Sequence, residues 1–217
     1  MTRMRFCALA LIVLISVAST SRASVLWNES TSGDLSNNQA APSTFVLLNG
    51  TNSVIGSVQG PSPAGPDPRD WVTVTVPVGF QMTQYVNAAY SSTDVQGFTG
   101  FQAGSVFVGA FGSSASVYNG FSHFGTAAAN SGFSTFNSIG VDLLPVMQQQ
   151  SPPQGAQGFT IPLAAGDYSF IIQQTGSALT NYQFDFVVTP VPEPSSMLLL
   201  GIGGVAAVAR WRKRRVI

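Results

Sequence analysis

Asp70-Trp71-Val72-Thr73-Val74-Thr75-Val76-Pro77 alternates strictly, with Trp71, Thr73 and Thr75 on one side and Val72, Val74 and Val76 on the other. Period-two alternation of β-branched residues, closed by a proline, reads as a strand with one face made for a core. Past the Val78-Gly79 turn, residues 80–90 continue in the same manner, and residues 105–111 supply a further apolar strand. Residues 159–163, 168–174 and 182–189 form another series, linked by Ala165-Gly166-Asp167 and Thr175-Gly176-Ser177. No comparable helical period lies between the two ends of the chain, so the expected class is all-β, a jelly-roll-like β-sandwich over residues 24–190.

The breaks in the pattern are connections within that one domain. Residues 61–68 contain Pro61, Pro63, Pro66 and Pro68, and residues 148–158 are rich in Gln, Pro and Gly; both are too irregular for strand or helix. Neither half of the domain has enough strands to close a core alone. Residues 112–137 interleave Phe and Gly with Ser, Ala and Asn, which predicts long loops with one or two short strands.

The ends differ from the middle. Arg3 and Arg5 precede an apolar run over residues 7–18, and Ser21-Arg22-Ala23 places small residues where a signal peptidase reads them. This predicts a signal peptide over residues 1–23 with cleavage after Ala23. The one cysteine, Cys7, sits at the start of the apolar run, not at its end, which argues against lipidation and leaves the mature domain without disulfides.

Charge divides along the same lines. The chain has nine basic and nine acidic residues, yet residues 24–190 hold Glu29, Asp34, Asp67, Asp70, Asp94, Asp142, Asp167 and Asp185 against Arg69 alone. The domain therefore has a formal charge of about −7 before termini and no basic footprint for a phosphate backbone, which excludes nucleic acid as an expected partner.

Beyond the domain, Val191-Pro192-Glu193-Pro194-Ser195-Ser196 leads into a Gly-containing apolar run over residues 197–209 and then into Arg210, Arg212, Lys213, Arg214 and Arg215. The run is short for a span, since about 20 apolar residues cross a hydrocarbon core of about 30 Å. With flanking residues it makes a single transmembrane helix whose arginine cluster stays cytoplasmic and whose domain lies outside. The prolines keep the preceding backbone extended, as a cutting enzyme requires. The order of motif, apolar helix and basic cluster resembles the PEP-CTERM sorting signal that exosortases recognise in Gram-negative bacteria making exopolysaccharide.

That resemblance implies a sorting tail over residues 191–217 with Pro192, Glu193 and Pro194 as the recognised motif, an exosortase-like enzyme and signal peptidase as processing partners, and transient anchoring in the inner membrane. A plain single-span anchor is the competing reading. A eukaryotic lipid-anchor tail would end apolar, and five cations among the last eight residues oppose it.

A second resemblance lies in the domain. Residues 70–83 resemble the opening hairpin of bacterial pre-peptidase C-terminal type sandwiches, and residues 163–174 with 182–186 resemble their closing strands. It implies a sandwich and, as in some of those domains, structural calcium.

Few residues offer chemistry. A hydrolytic base would be His123, the single histidine, with Ser122 or a distant serine as nucleophile; there is no Gly-x-Ser-x-Gly elbow. A loop histidine packed between Phe121 and Phe124 is the expectation. Zinc would need more nitrogen or sulfur ligands than His123 supplies. Calcium takes oxygens that Asp67, Asp70, Asp94, Asp142 and Asp167 carry, though no EF-hand loop is present. Glycoside hydrolysis needs two acids held about 5–9 Å apart, and Glu29 is the domain's only glutamate. Tyr90, Phe98, Phe101, Tyr118, Phe121 and Phe124, if exposed, would make a sugar-stacking surface.

The expectation is thus an exported, exosortase-sorted structural or adhesive protein of the cell surface or biofilm matrix, with no catalytic activity and no cofactor beyond possible calcium. The alternative is a polysaccharide-binding module or polysaccharide-active hydrolase.

Overall fold

The computed structural model describes residues 22–60, 64–109, 114–130, 135–150, 154–174 and 176–192. In chain order they form β1 (Arg22–Asn28), α1 (Glu29–Ser32), β2 (Ser43–Val46), β3 (Gly50–Gln59), β4 (Arg69–Val76), β5 (Phe80–Ser92), β6 (Gly97–Ala103), β7 (Gly120–Phe124), β8 (Val141–Asp142), α2 (Leu143–Gln149), β9 (Gly166–Gln173) and β10 (Leu179–Pro190), with a 3-10 turn at Ala115–Val117 before β7.

Two five-stranded sheets pack face to face, in the orders β1-β3-β10-β5-β8 and β2-β4-β9-β6-β7. From β3 to β10 the chain alternates between sheets except at the β6–β7 hairpin, and every pairing within this eight-strand set is antiparallel. That is the double-sheet jelly roll expected from the alternation. β1 and β2 are additions, each pairing in parallel at one edge, β1 on β3 and β2 on β4.

The alternation of β4 does what its residue types dictate. Val72, Val74 and Val76 are buried in the main core with Tyr85, Phe170, Phe184 and Phe186. Tyr85 stacks on Phe184 at 4.6 Å and donates to or accepts from Thr99 at 2.9 Å, so the one polar atom of this aromatic centre is satisfied. The opposite face of β4 is not left to solvent. The segment after β6 folds over it, burying Trp71 against Phe107 at 5.0 Å in a second cluster with Tyr118 and Ile171, while Thr73 donates to Ser105 O.

Several sequence expectations need correction. Residues 105–111 contain no strand among those described; the strand lies earlier, in β6, where Gly97 and Gly100 weaken the propensity signal. Those glycines are required by their neighbours: a Cβ at Gly97 would meet the Phe124 ring at 2.7 Å, and one at Gly100 the Tyr118 ring at 2.7 Å. Residues 159–163 make one bridge, Leu163 to Met82, because Pro162 has no N–H to give a ladder. Helix does occur between the ends: Asp142 caps α2, accepting from Leu144 N at 3.1 Å, and Leu143, Leu144 and Met147 close the core. Pro145 is tolerated because it sits in the first turn.

The expected signal peptide falls on residues outside those described, apart from Arg22 and Ala23 at the start of β1. Glu193, Pro194, the apolar run and the basic cluster over residues 210–215 are likewise outside them. Among the described residues no helix is long and apolar enough to cross a membrane.

Candidate functional site

Two places concentrate features that packing alone does not require. The first is where β1 runs into α1 beside the start of β4. Asn28 ends β1 and caps the short α1, accepting from Ser30 N at 3.1 Å. This turn holds Glu29 over β3: its Oε1 accepts from Leu35 N at 3.0 Å and its Oε2 from Ser57 N at 2.7 Å and Ser57 Oγ at 3.2 Å.

Asp70 reaches the same place from the other sheet. It shares the inward parity of Val72, Val74 and Val76, so its carboxyl enters the end of the interior and is 0% exposed. Tyr182, on β10, donates to Asp70 Oδ2 at 2.6 Å, a bond across the two sheets between residues 112 apart. Tyr182 stands opposite Gly56 in register, and a Cβ at Gly56 would collide with the Tyr182 hydroxyl and approach Glu29 Cδ at 3.1 Å. The glycine is what lets ring and carboxylate share this space.

Asp34 completes the group, with carboxylate oxygens of Glu29, Asp34 and Asp70 all within 4.8 Å of one another. Burial pushes the Asp70 carboxyl well above the usual range, with repulsion from Glu29 adding to it, against the lowering effect of the Tyr182 bond. Glu29 is raised by burial too, opposed by its hydrogen bonds from Leu35 and Ser57. Asp67, close enough to repel Asp70, is raised chiefly by burial. A groove of about 500 Å³ opens beside the cluster, lined by Asn28, Glu29, Ser30, Asp34, Ser57 and Asn181 among others.

The other acids named from the sequence do not join this group. Asp142 caps α2 and also accepts from Tyr85 N at 3.0 Å. Asp167 accepts from Thr75 Oγ1 at 2.6 Å, and Asp94 lines a separate pocket with Val95, Gln96 and Gly176. Of the five aspartates expected to offer calcium oxygens, only Asp70 belongs to the trio. Glu29 and Asp34 were missed in that role; the signal available was Asp70's parity with the core valines, which marks a buried acid in need of partners.

Ser122 and His123 are on opposite faces of β7. Ser122 is 0% exposed and donates to His123 O at 2.7 Å, whereas the His123 ring packs edge-on to Phe98 at 5.7 Å on the outer face. Phe124 points into the main core, so the histidine is not packed between Phe121 and Phe124 as expected. The proposed sugar-stacking surface is also dismantled: Tyr90, Phe101, Tyr118 and Phe124 are buried, and only Phe98 and Phe121 are partly open.

The second place is the exit from β10. Pro190 pairs with Phe80, Val191 N donates to Gly79 O at 2.9 Å, and then Val191 and Pro192 are exposed. The chain leaves the sandwich here from a central strand, extended and with Pro192 unable to donate into any ladder.

The family described as PEP-CTERM protein-sorting motif matches residues 190–215, a span that runs from the last residue of β10 through the expected motif and basic cluster. Comparison with curated proteins and with solved structures finds no match. The chain thus carries a PEP-CTERM protein-sorting motif, and with it the address of an exported, exosortase-targeted cell-surface protein.

Proposed function

We propose that the sandwich is a structural or adhesive component of the cell envelope or biofilm matrix of a Gram-negative bacterium, without catalytic activity of its own. On this reading signal peptidase cuts after Ala23. The apolar run over residues 197–209 holds the chain briefly in the inner membrane with Arg210, Arg212, Lys213, Arg214 and Arg215 in the cytoplasm. An exosortase then acts at Val191, Pro192, Glu193 and Pro194. The observation that carries the proposal is the junction itself: the matched sorting span begins where β10 ends, so the cut would release an intact sandwich. The use of the acids in holding the fold together supports a structural role, as with Asp142 on α2, Asp167 on Thr75 and Asp185 on Ser53.

The test is intact mass of the protein from the native host's envelope and medium. A species running from Ser24 to the motif is expected; one retaining residues 210–215 would overturn the sorting step and leave a membrane-tethered domain.

The groove beside Glu29 and Asp34 favours a second reading, a polysaccharide-binding or polysaccharide-cleaving surface, because two acids close together beside Asn28 and Asn181 suit hydroxyl-rich chains. It ranks second since Glu29 Oε2 already accepts from both Ser57 N and Ser57 Oγ, which leaves an exchanging proton only the second lone pair of Oε1, beside its bond from Leu35 N. Release of reducing ends from host exopolysaccharide, abolished by Glu29→Gln, would establish it over the first.

A further inference from the structure

The geometry points to a divalent-cation site, suited to calcium, formed by Glu29, Asp34 and Asp70 where the β1–α1 turn meets the start of β4. Three carboxylates lie within 4.8 Å of one another, one of them fully buried, and like charges so placed repel when ionised. That would be weak grounds without a second feature, which Asp70 supplies. Its side chain is fully buried, Tyr182 occupies Oδ2, and Oδ1 has no hydrogen-bond partner. A buried acceptor without a donor is costly, and native interiors rarely leave one. A cation gives that oxygen its partner and removes the repulsion together.

The donor set selects the ion class. All three ligands are carboxylate oxygens, with neither sulfur nor imidazole in the group, which suits a hard cation. Oxygens up to 4.8 Å apart fit around one centre at calcium's bond lengths of about 2.3–2.6 Å; magnesium, at about 2.0–2.1 Å, would need them closer. The remaining positions open onto the groove lined by Asn28, Ser30 and Asn181, which admits water. Burial keeps Asp70 well above the ordinary carboxylate range, and Glu29, Asp67 and Asp34 add repulsion; a bound cation reverses the sign of that field.

The site would tie the β1–α1 turn to both sheets at once: Glu29 is bonded to β3, Asp70 stands on β4, and Tyr182 links Asp70 to β10. The inference stands on the fold and does not depend on the sorting step or on adhesion.

The experiment uses the full chain in detergent, stripped with EGTA and titrated with calcium chloride by calorimetry, alongside thermal unfolding. Asp34→Asn tests the site without disturbing the core, because Asp34 is exposed. Asp185→Asn, on β10 but outside the trio, is the control. Expected are one calcium per chain and a Tm rise of about 5–10 °C at a hundredfold excess over Kd, reversed by EGTA. Affinity should fall at least about tenfold in Asp34→Asn and stay unchanged in Asp185→Asn. No heat and no Tm shift at about 10 mM calcium would overturn the site and leave a shared proton as the link among the acids. So would equal affinity in both variants, and an equal shift with magnesium would overturn the assignment to calcium.

Discussion

Tyr182 shows how much one atom holds at this end of the molecule. Its hydroxyl is the only donor that reaches Asp70 among the hydrogen bonds described, and it does so from the opposite sheet. Tyr182→Phe keeps the ring in the core but leaves both oxygens of a buried carboxylate without a donor, so stability should fall by about 1.5–3 kcal/mol in metal-free urea denaturation. A second residue, His123, makes a pH prediction. Burial lowers its pKa below the ordinary 6.5, partly offset by a hydrogen bond with the Ala129 backbone. A folded pKa depressed in this way means that the folded state takes up the proton less readily than the unfolded one. The stability it contributes is complete above about pH 6.5 and is lost as pH falls below that value toward the folded pKa. The raised carboxyl groups act in the opposite sense over the acid range, so the measurement is a difference: Tm of the natural chain minus that of His123→Phe should decline between about pH 7 and 5. A flat difference would remove His123 from the balance.

At the scale of elements, the pairings between β3 and β10 and between β5, β8 and α2 make separate predictions. In the first, Gly56 faces Tyr182, and Gly56→Ala drives a methyl group into the phenol and toward Glu29. Overpacking of this kind should cost about 1–3 kcal/mol and displace Tyr182 from Asp70, read by denaturation and by loss of the tyrosine's protected hydroxyl proton in NMR. In the second, the Asp142 carboxylate caps α2 through Leu144 N and also holds Tyr85 N of β5. Asp142→Ala removes both bonds and should cost about 1–2 kcal/mol, with α2 the first segment to lose hydrogen-exchange protection. The strands β4, β5, β9 and β10 were legible because alternation is a local property. β6 and α2 were not: glycines beneath Phe124 and Tyr118 hide β6, and seven residues are too few for α2 to show a period. β1, β2 and β3 went unread for a related reason. β1 and β2 are short, with Leu26, Trp27 and Phe45 only partly buried, β3 is mostly small and polar, and the place of all three is set by strand pairing.

For the whole molecule, charge and exit point are the properties that an outside partner meets. With eight acids against Arg69 between residues 24 and 190, the domain should pass unretained through a heparin column even at low salt; retention that falls with salt would expose a basic patch that its composition does not contain. Export, acidity, the jelly-roll class and the sorting motif were all set by the sequence alone, because composition, alternation and a contiguous tail depend on residues close together in the chain. The joining of Glu29, Asp34, Asp70 and Tyr182, the covering of Trp71 by Phe107, and the separation of Ser122 from His123 were decided by the tertiary structure. Alternation sets which way a side chain faces within its strand. Which strands lie side by side, and hence which acids share a space, is decided by how two sheets close over one core.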